Sequence, residues 1–159
     1  MSISIYDVLS DENLLLAKES FQGKRDSCGM DGIKVSMLDD YWDTNGEKIK
    51  QAIINGRYSM GVVQLQDIVN SKGKCRTISL MNTIDRFIYR ALMQVIAEVW
   101  DPMFSDSAFA YREHTGVNRA AEQAASYIEQ GNTWVIELDV QDFFDNIRHD
   151  ILLEKCGKR

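Results

Sequence analysis

Residues 134–150 read "WVIELDVQDFFDNIRHD", an apolar run ending in Asp139 and followed by Asp142, Asp145, two phenylalanines and Asn146. A strand that finishes on a carboxylate can fix that group at a sheet edge, where a divalent cation can reach it. Mg2+ prefers hard oxygen ligands and takes one or two protein carboxylates together with substrate phosphates. In a two-metal phosphoryl-transfer site, ions roughly 3.5–4 Å apart stabilise both the attacking and the leaving oxygens. Asp139 can equally serve as a cap for the turn "QDFFDN", and this stretch alone leaves both roles open.

Two further groups carry chemistry. In "SKGKCR", Lys72, Lys74 and Arg76 alternate with Gly73 and Cys75, and Arg86 and Arg90 follow downstream. On a strand, Lys74 and Arg76 share one face, because side chains repeat every two residues. Such a pair can hold a triphosphate or a nucleic-acid backbone, the arginine offering a bidentate fork. A hairpin tip kept polar for solubility is the plain alternative. In "SDSAFAYREHTGVNRA", Phe109 and Tyr111 flank a small residue, with Arg112 beside them. Rings next to a guanidinium suit stacking on bases with phosphate contact; they suit core packing as well. His114 and His149 have no partner at ligand spacing and read as surface or structural residues, and the scattered methionines as core filler.

The elements that position these groups follow from periodicity. "SDENLLLAKESFQ" opens with Ser10 and two acids, which suit a helix N-terminus, and is followed by the glycine-rich break from Gly23 to Gly32. A second helix is expected from about Asn45, as cap, to the stop at Asn55-Gly56. "YSMGVVQLQDIV" and "RTISLM", joined by "NSKGKC", read as a β-hairpin. "TIDRFIYRALMQVIAEVW" places Ile84, Phe87, Ile88, Ala91, Leu92 and Val95 at helical spacing, and Pro102 closes it. "GVNRAAEQAASYIEQG" is another amphipathic helix. "TWVIELDV" reads as a near-continuous apolar strand of the kind buried in a sheet core, and "RHDILLEKC" begins a last helix.

Composition narrows the class. An apolar share of 45% with six Phe, six Tyr and three Trp can build a core and argues against disorder. No run approaches the ~20 apolar residues that span a bilayer, and no basic-then-apolar leader opens the chain. Three cysteines without a CxxC pair argue against a disulfide framework or zinc site and fit a reducing cytoplasm. The net charge of −6 is uneven: −5 over residues 1–44, +5 over 45–90 and −6 over 91–159. The basic middle is either solvated surface or a phosphate-facing patch.

The order of these motifs resembles a family. "CGMDGI", "GKCRTISLMNTIDRFIYRAL", "FSDSAFAYREHTGVNRA" and "WVIELDVQDFFDNIRHDIL" look like the amino-terminal half of a group II intron-type bacterial reverse transcriptase. That family's series is roughly GVDG, NGKxRPLGIPTVxDRxxQxAL, FSDxSYGFRPxRS and a strand ending in DIxxFFDNIxHxxL. The resemblance implies an α+β fold: a right-hand polymerase fingers/palm fragment with helices, an antiparallel fingers hairpin and the start of the palm sheet. Its parts would be an amino-terminal extension with fingers helices over 1–44, then fingers and the start of the palm over 45–131. The first palm strand and following helix would occupy 132–159.

Carried over by motif, Asp139 would be the first catalytic, metal-binding aspartate, and the carbonyl of Val140 a second ligand. Phe144 would be the steric gate beside the sugar 2′-position, and backbone N–H groups near Asp142 and Phe143 would face the incoming triphosphate. Lys74 and Arg76, with Arg112, would contact the nucleotide. Gly29 and Gly32, with Lys72, Arg86 and Arg90, would lie on nucleic acid. Mg2+, with Mn2+ as substitute, is the implied cofactor. Implied partners are an RNA template and primer, dNTPs, structured intron RNA and target DNA, with no membrane and a homodimer as one arrangement.

The sequence also departs from the pattern. Asn70 replaces a common lysine, and Val69, Ser71, Thr77, Met81 and Glu113 stand where the family often has proline, which accounts for the single Pro102. No "DD" follows Asp139, so the YxDD hairpin with the other catalytic aspartates is absent from these residues. One carboxylate cannot assemble a two-metal site, and the 159 residues alone are expected to be inactive. A non-catalytic RNA-binding fingers module is the alternative function.

Overall fold

In a computed structural model, residues 3–23, 26–69, 71 and 73–157 are described. Lys72 and Asn70 lie outside them. Among the described residues the elements are two short 3-10 helices (Val35–Met37 and Asp101–Met103), six α-helices and one two-stranded antiparallel sheet: α1 (Ile5–Val8), α2 (Asp11–Glu19), α3 (Leu38–Ile54), β1 (Gln64–Val69), β2 (Cys75–Leu80), α4 (Thr83–Trp100), α5 (Val117–Glu129) and α6 (His149–Gly157). The chain divides into one compact unit ending at Pro102 and another comprising Met103–Arg159.

The first unit is built on α4. Its stripe buries Ile84, Phe87 and Ala91 against Leu14 and Ala17 of α2, Val8 of α1, and Leu38 and Trp42 of α3. Phe87 is fully buried and meets Trp42 edge-on, with ring centroids 4.7 Å apart. Burial of such a side chain contributes about 2 kcal/mol. Asn13 crosses this interface: its side-chain amide donates to the carbonyls of Val8 (2.8 Å) and Ala91 (2.9 Å), and Gln94 donates back to the Asn13 Oδ1 at 2.7 Å. Ser4 and Asp7 form a capping box on α1, and Ser10 caps α2 by accepting from the Asn13 N–H.

Helix α3 begins seven residues before the expected cap, at Leu38 rather than Asn45. The turn-forming string "DTNG" is overridden by packing. Gly46 lies under Trp42, where a Cβ would meet the indole at 2.8 Å, and Asn45 and Thr44 bond back to the Tyr41 and Asp40 carbonyls at 3.0 Å each. The hairpin is shorter than the sequence suggests because residues 58–63 serve another purpose. Tyr58 donates its hydroxyl to Asp85 Oδ1 (2.5 Å) and the Gly61 N–H donates to Asp85 Oδ2 (3.0 Å), which tethers this segment to the first turn of α4. From Gln64 the ladder then runs in register, Gln64 opposite Leu80 through Val69 opposite Cys75.

The second unit corrects one expectation. Residues 132–140, read as a strand buried in a sheet core, have no regular secondary structure, and Trp134, Ile136 and Leu138 are exposed. The sheet among the described residues is β1 with β2, so this segment has no ladder there to satisfy its backbone. Helix α5 likewise buries no residue. No helix among the described residues is long and apolar enough to cross a membrane.

Candidate nucleotide and nucleic-acid site

The expected site residues fall in both units. Lys74 and Arg76 belong to the first. Arg76 lies on β2 opposite Ile68, and Lys74 immediately precedes the strand; both are exposed. The neighbouring pair Asp67–Thr77 is bonded across the strands at 2.6 Å, which holds the register at the basic positions.

Gly29 and Gly32 lie in a loop clamped to the start of α4. A Cβ on Gly29 would meet Asn82 Oδ1 at 2.3 Å and Asn82 Cα at 2.6 Å, so only glycine allows this approach. Gly32 closes the turn by donating its N–H to the Gly29 carbonyl at 3.2 Å. Thr83, fully buried, donates to the Ile33 carbonyl at 2.6 Å. Arg86 turns toward the same loop, donating to Ser27 Oγ (3.1 Å), the Ser27 carbonyl (3.3 Å) and Thr83 Oγ1 (3.1 Å). Arg90 is half-buried one turn further on. The expected nucleic-acid contacts at Gly29 and Arg86 therefore coincide with residues that fasten the loop. Asn82 and Thr83, which hold this loop, and Asp85, which holds Tyr58 and Gly61, are not singled out by the sequence alone. Their signal is a polar trio at the head of the longest apolar-striped helix.

In the second unit, Arg112 also folds inward. Its guanidinium donates to the carbonyls of Ser105 (2.9 Å) and Ala108 (3.1 Å) and lies 5.7 Å from the centre of the Phe104 ring. Thr115 donates to the carbonyls of Phe109 (2.8 Å) and Arg112 (3.1 Å), so the loop between Ser105 and Thr115 is closed by its own side chains. A groove of about 590 Å³ lies between this loop and α5, with Asp106, Arg112, Arg119 and Glu122 on its walls.

Asp139 and Val140 are exposed and lead into the turn "QDFFDN". Asn146 locks that turn: its backbone N–H donates to the Asp142 carbonyl (3.1 Å), and its amide donates to the carbonyls of Asp142 (3.0 Å) and Gln141 (3.4 Å). Asp142 takes φ of 47°, in the left-handed region that few non-glycine residues occupy. The turn displays Phe143 and Phe144 side by side, centroids 5.3 Å apart, and brings Tyr111 edge-on to Phe144 at 6.1 Å. Among the described residues, no group of three or more His, Cys, Asp or Glu side chains converges. The Asp139 carboxylate and the Val140 carbonyl are hard-oxygen groups of the type that Mg2+ prefers.

The sequence model described as reverse transcriptase (RNA-dependent DNA polymerase) matches residues 66–158, more than half of the chain. The YkfC protein of Escherichia coli is 24% identical over 135 residues, covering 82% of this chain and 35% of that protein. The group II intron-encoded protein LtrA of Lactococcus lactis subsp. cremoris is 28% identical over 127 residues, covering 77% of this chain and 20% of the relative. The putative COX1/OXI3 intron 2 protein of Saccharomyces cerevisiae is 22% identical over 163 residues, or 98% of this chain and 18% of the relative. The chain spans 35% or less of the length of these three relatives. It belongs to the reverse transcriptase (RNA-dependent DNA polymerase) family, and its similarity runs to intron-encoded members.

Proposed function

We propose that this chain supplies the fingers and first palm segment of an RNA-directed DNA polymerase of group II intron type. Residues 1–44 would be the amino-terminal extension, 45–131 the fingers and the start of the palm, and 132–159 the segment bearing the catalytic aspartate. The observation that carries the reading is the arrangement of the last motif within the family match. Exposed Asp139 stands directly before a turn, locked by Asn146, that displays Phe143 and Phe144.

In the reaction, the primer 3′ oxygen bonds to the α-phosphorus of a dNTP as the bond to pyrophosphate breaks, and the hydroxyl proton passes to solvent. Asp139 and the Val140 carbonyl would hold Mg2+ or its substitute Mn2+, which when bound neutralises phosphate charge. Phe144 would exclude a sugar 2′-hydroxyl. The N–H groups near Asp142 and Phe143, with Lys74, Arg76 and Arg112, would bind the triphosphate. Lys72, Arg86, Arg90, Gly29 and Gly32 would lie toward template or primer. RNA template, primer and dNTP are the proposed partners, with structured intron RNA and target DNA beyond them. A second copy of the chain is proposed as partner for residues 133–140, with which no strand among the described residues pairs.

Asp139→Ala in the complete polymerase should abolish primer extension on an RNA template while RNA binding persists. Synthesis by that variant sinks the assignment. Residues 1–159 hold one carboxylate of the set a two-ion site needs; primer extension by them alone would equally count against the reading.

A further inference from the structure

We propose that Tyr111 is a positioning residue for Phe144, so that a pair of rings rather than one ring decides which sugar the site admits. This rests on the reading of Phe144 as the gate. Tyr111 meets Phe144 edge-on, with centroids 6.1 Å apart and planes at 88°. Tyr111 as a residue is 94% exposed, so core packing does not explain its placement. Offset or perpendicular ring pairs at such distances attract beyond simple area burial, the positive edge of one ring facing the negative face of the other.

The backbone supports the same conclusion. Tyr111 takes φ of 60°, a conformation that is strained for a bulky L-residue, whereas Asp142, at 47°, belongs to the residue types that visit it as single residues. Such strain persists only where the surroundings over-determine it. They do so on both sides: Arg112 and Thr115 close the Tyr111 loop onto Ser105, Ala108 and Phe109, and Asn146 closes the turn after Asp142. A gate that rejects one hydroxyl works only if its ring is held in place, and a ring with two ring neighbours, Tyr111 and Phe143, has fewer ways to turn aside.

The test is carried out in the complete polymerase, by measuring kcat/KM for a dNTP and for the matching ribonucleotide on one RNA template. The ratio of the two cancels the fraction of folded enzyme, so a variant that only folds less well leaves it unmoved. Tyr111→Ala should lower discrimination by roughly two- to tenfold, Tyr111→Phe should retain it, and Tyr111→Ala should add nothing on top of Phe144→Ala. If Phe144→Ala relaxes the ratio and Tyr111→Ala does not, this inference falls and the gate stands. An equal loss in Tyr111→Phe and Tyr111→Ala also overturns it, since the hydroxyl and not the ring would then matter. If neither Phe144→Ala nor Tyr111→Ala moves the ratio, the gate reading itself falls and takes this one with it.

Discussion

Arg86 and Arg112 show how a guanidinium that reads as a phosphate contact can also hold its own backbone. Each donates to main-chain carbonyls of a nearby loop, Arg86 to Ser27 and Arg112 to Ser105 and Ala108. Nothing in their sequence context separates the two uses, because a five-donor fork fits a carbonyl pair as well as a phosphate. Tyr58 and Asp85 are a clearer residue-scale case. Burial, and then the bond to the Asp85 carboxylate, pushes the Tyr58 phenol well above its ordinary value of 10.0. The folded state therefore favours the neutral ring. Its contribution is complete below about pH 10 and declines as pH rises further, because the unfolded chain ionises first. Tyr58→Phe should flatten this alkaline loss while lowering stability near neutrality, as read from urea unfolding at about pH 8 and about pH 11. An equal decline in wild type and variant would assign the loss to other groups.

At the scale of elements, α4 was legible in full because its apolar positions repeat at helical spacing and a proline closes it. Helix α3 was legible only in its second half, since the packing of Trp42 on Gly46 decides its start and neither residue announces the other. The hairpin was read correctly as a hairpin, with β1 shortened by the tether of Tyr58 and Gly61 to Asp85. Its exposed basic positions lead to a further expectation. Lys74→Ala combined with Arg76→Ala should weaken RNA binding across sequences. The slope of log K against log salt should become shallower by about 1.4, or roughly 0.7 for each single-strand phosphate that is no longer neutralised. An unchanged slope in filter-binding titrations would remove both residues from the interface.

At the scale of the whole molecule, the two units differ in what they bury. The first has a core of residues from α1, α2, α3 and α4, whereas no described residue beyond Pro102 is buried. Ile136 and Leu138 are 83% and 90% exposed, and no strand among the described residues pairs with the segment that carries them. Exposed apolar residues beside unladdered backbone favour association with another chain. The 159-residue chain should therefore self-associate with rising concentration in analytical ultracentrifugation. Ile136→Lys with Leu138→Lys should shift it toward monomer, and an unaltered mass distribution would place the association surface elsewhere. The sequence by itself determined the order of the chemistry-bearing residues, the period of the long helices and the family, because motif spacing, caps and apolar repeats are local properties. Only the tertiary structure decided that Gly29 abuts Asn82, that Arg86 fastens the Ser27 loop and that Tyr111 meets Phe144. Those pairings join residues far apart in the chain, and the last depends on left-handed backbone angles that residue type does not specify.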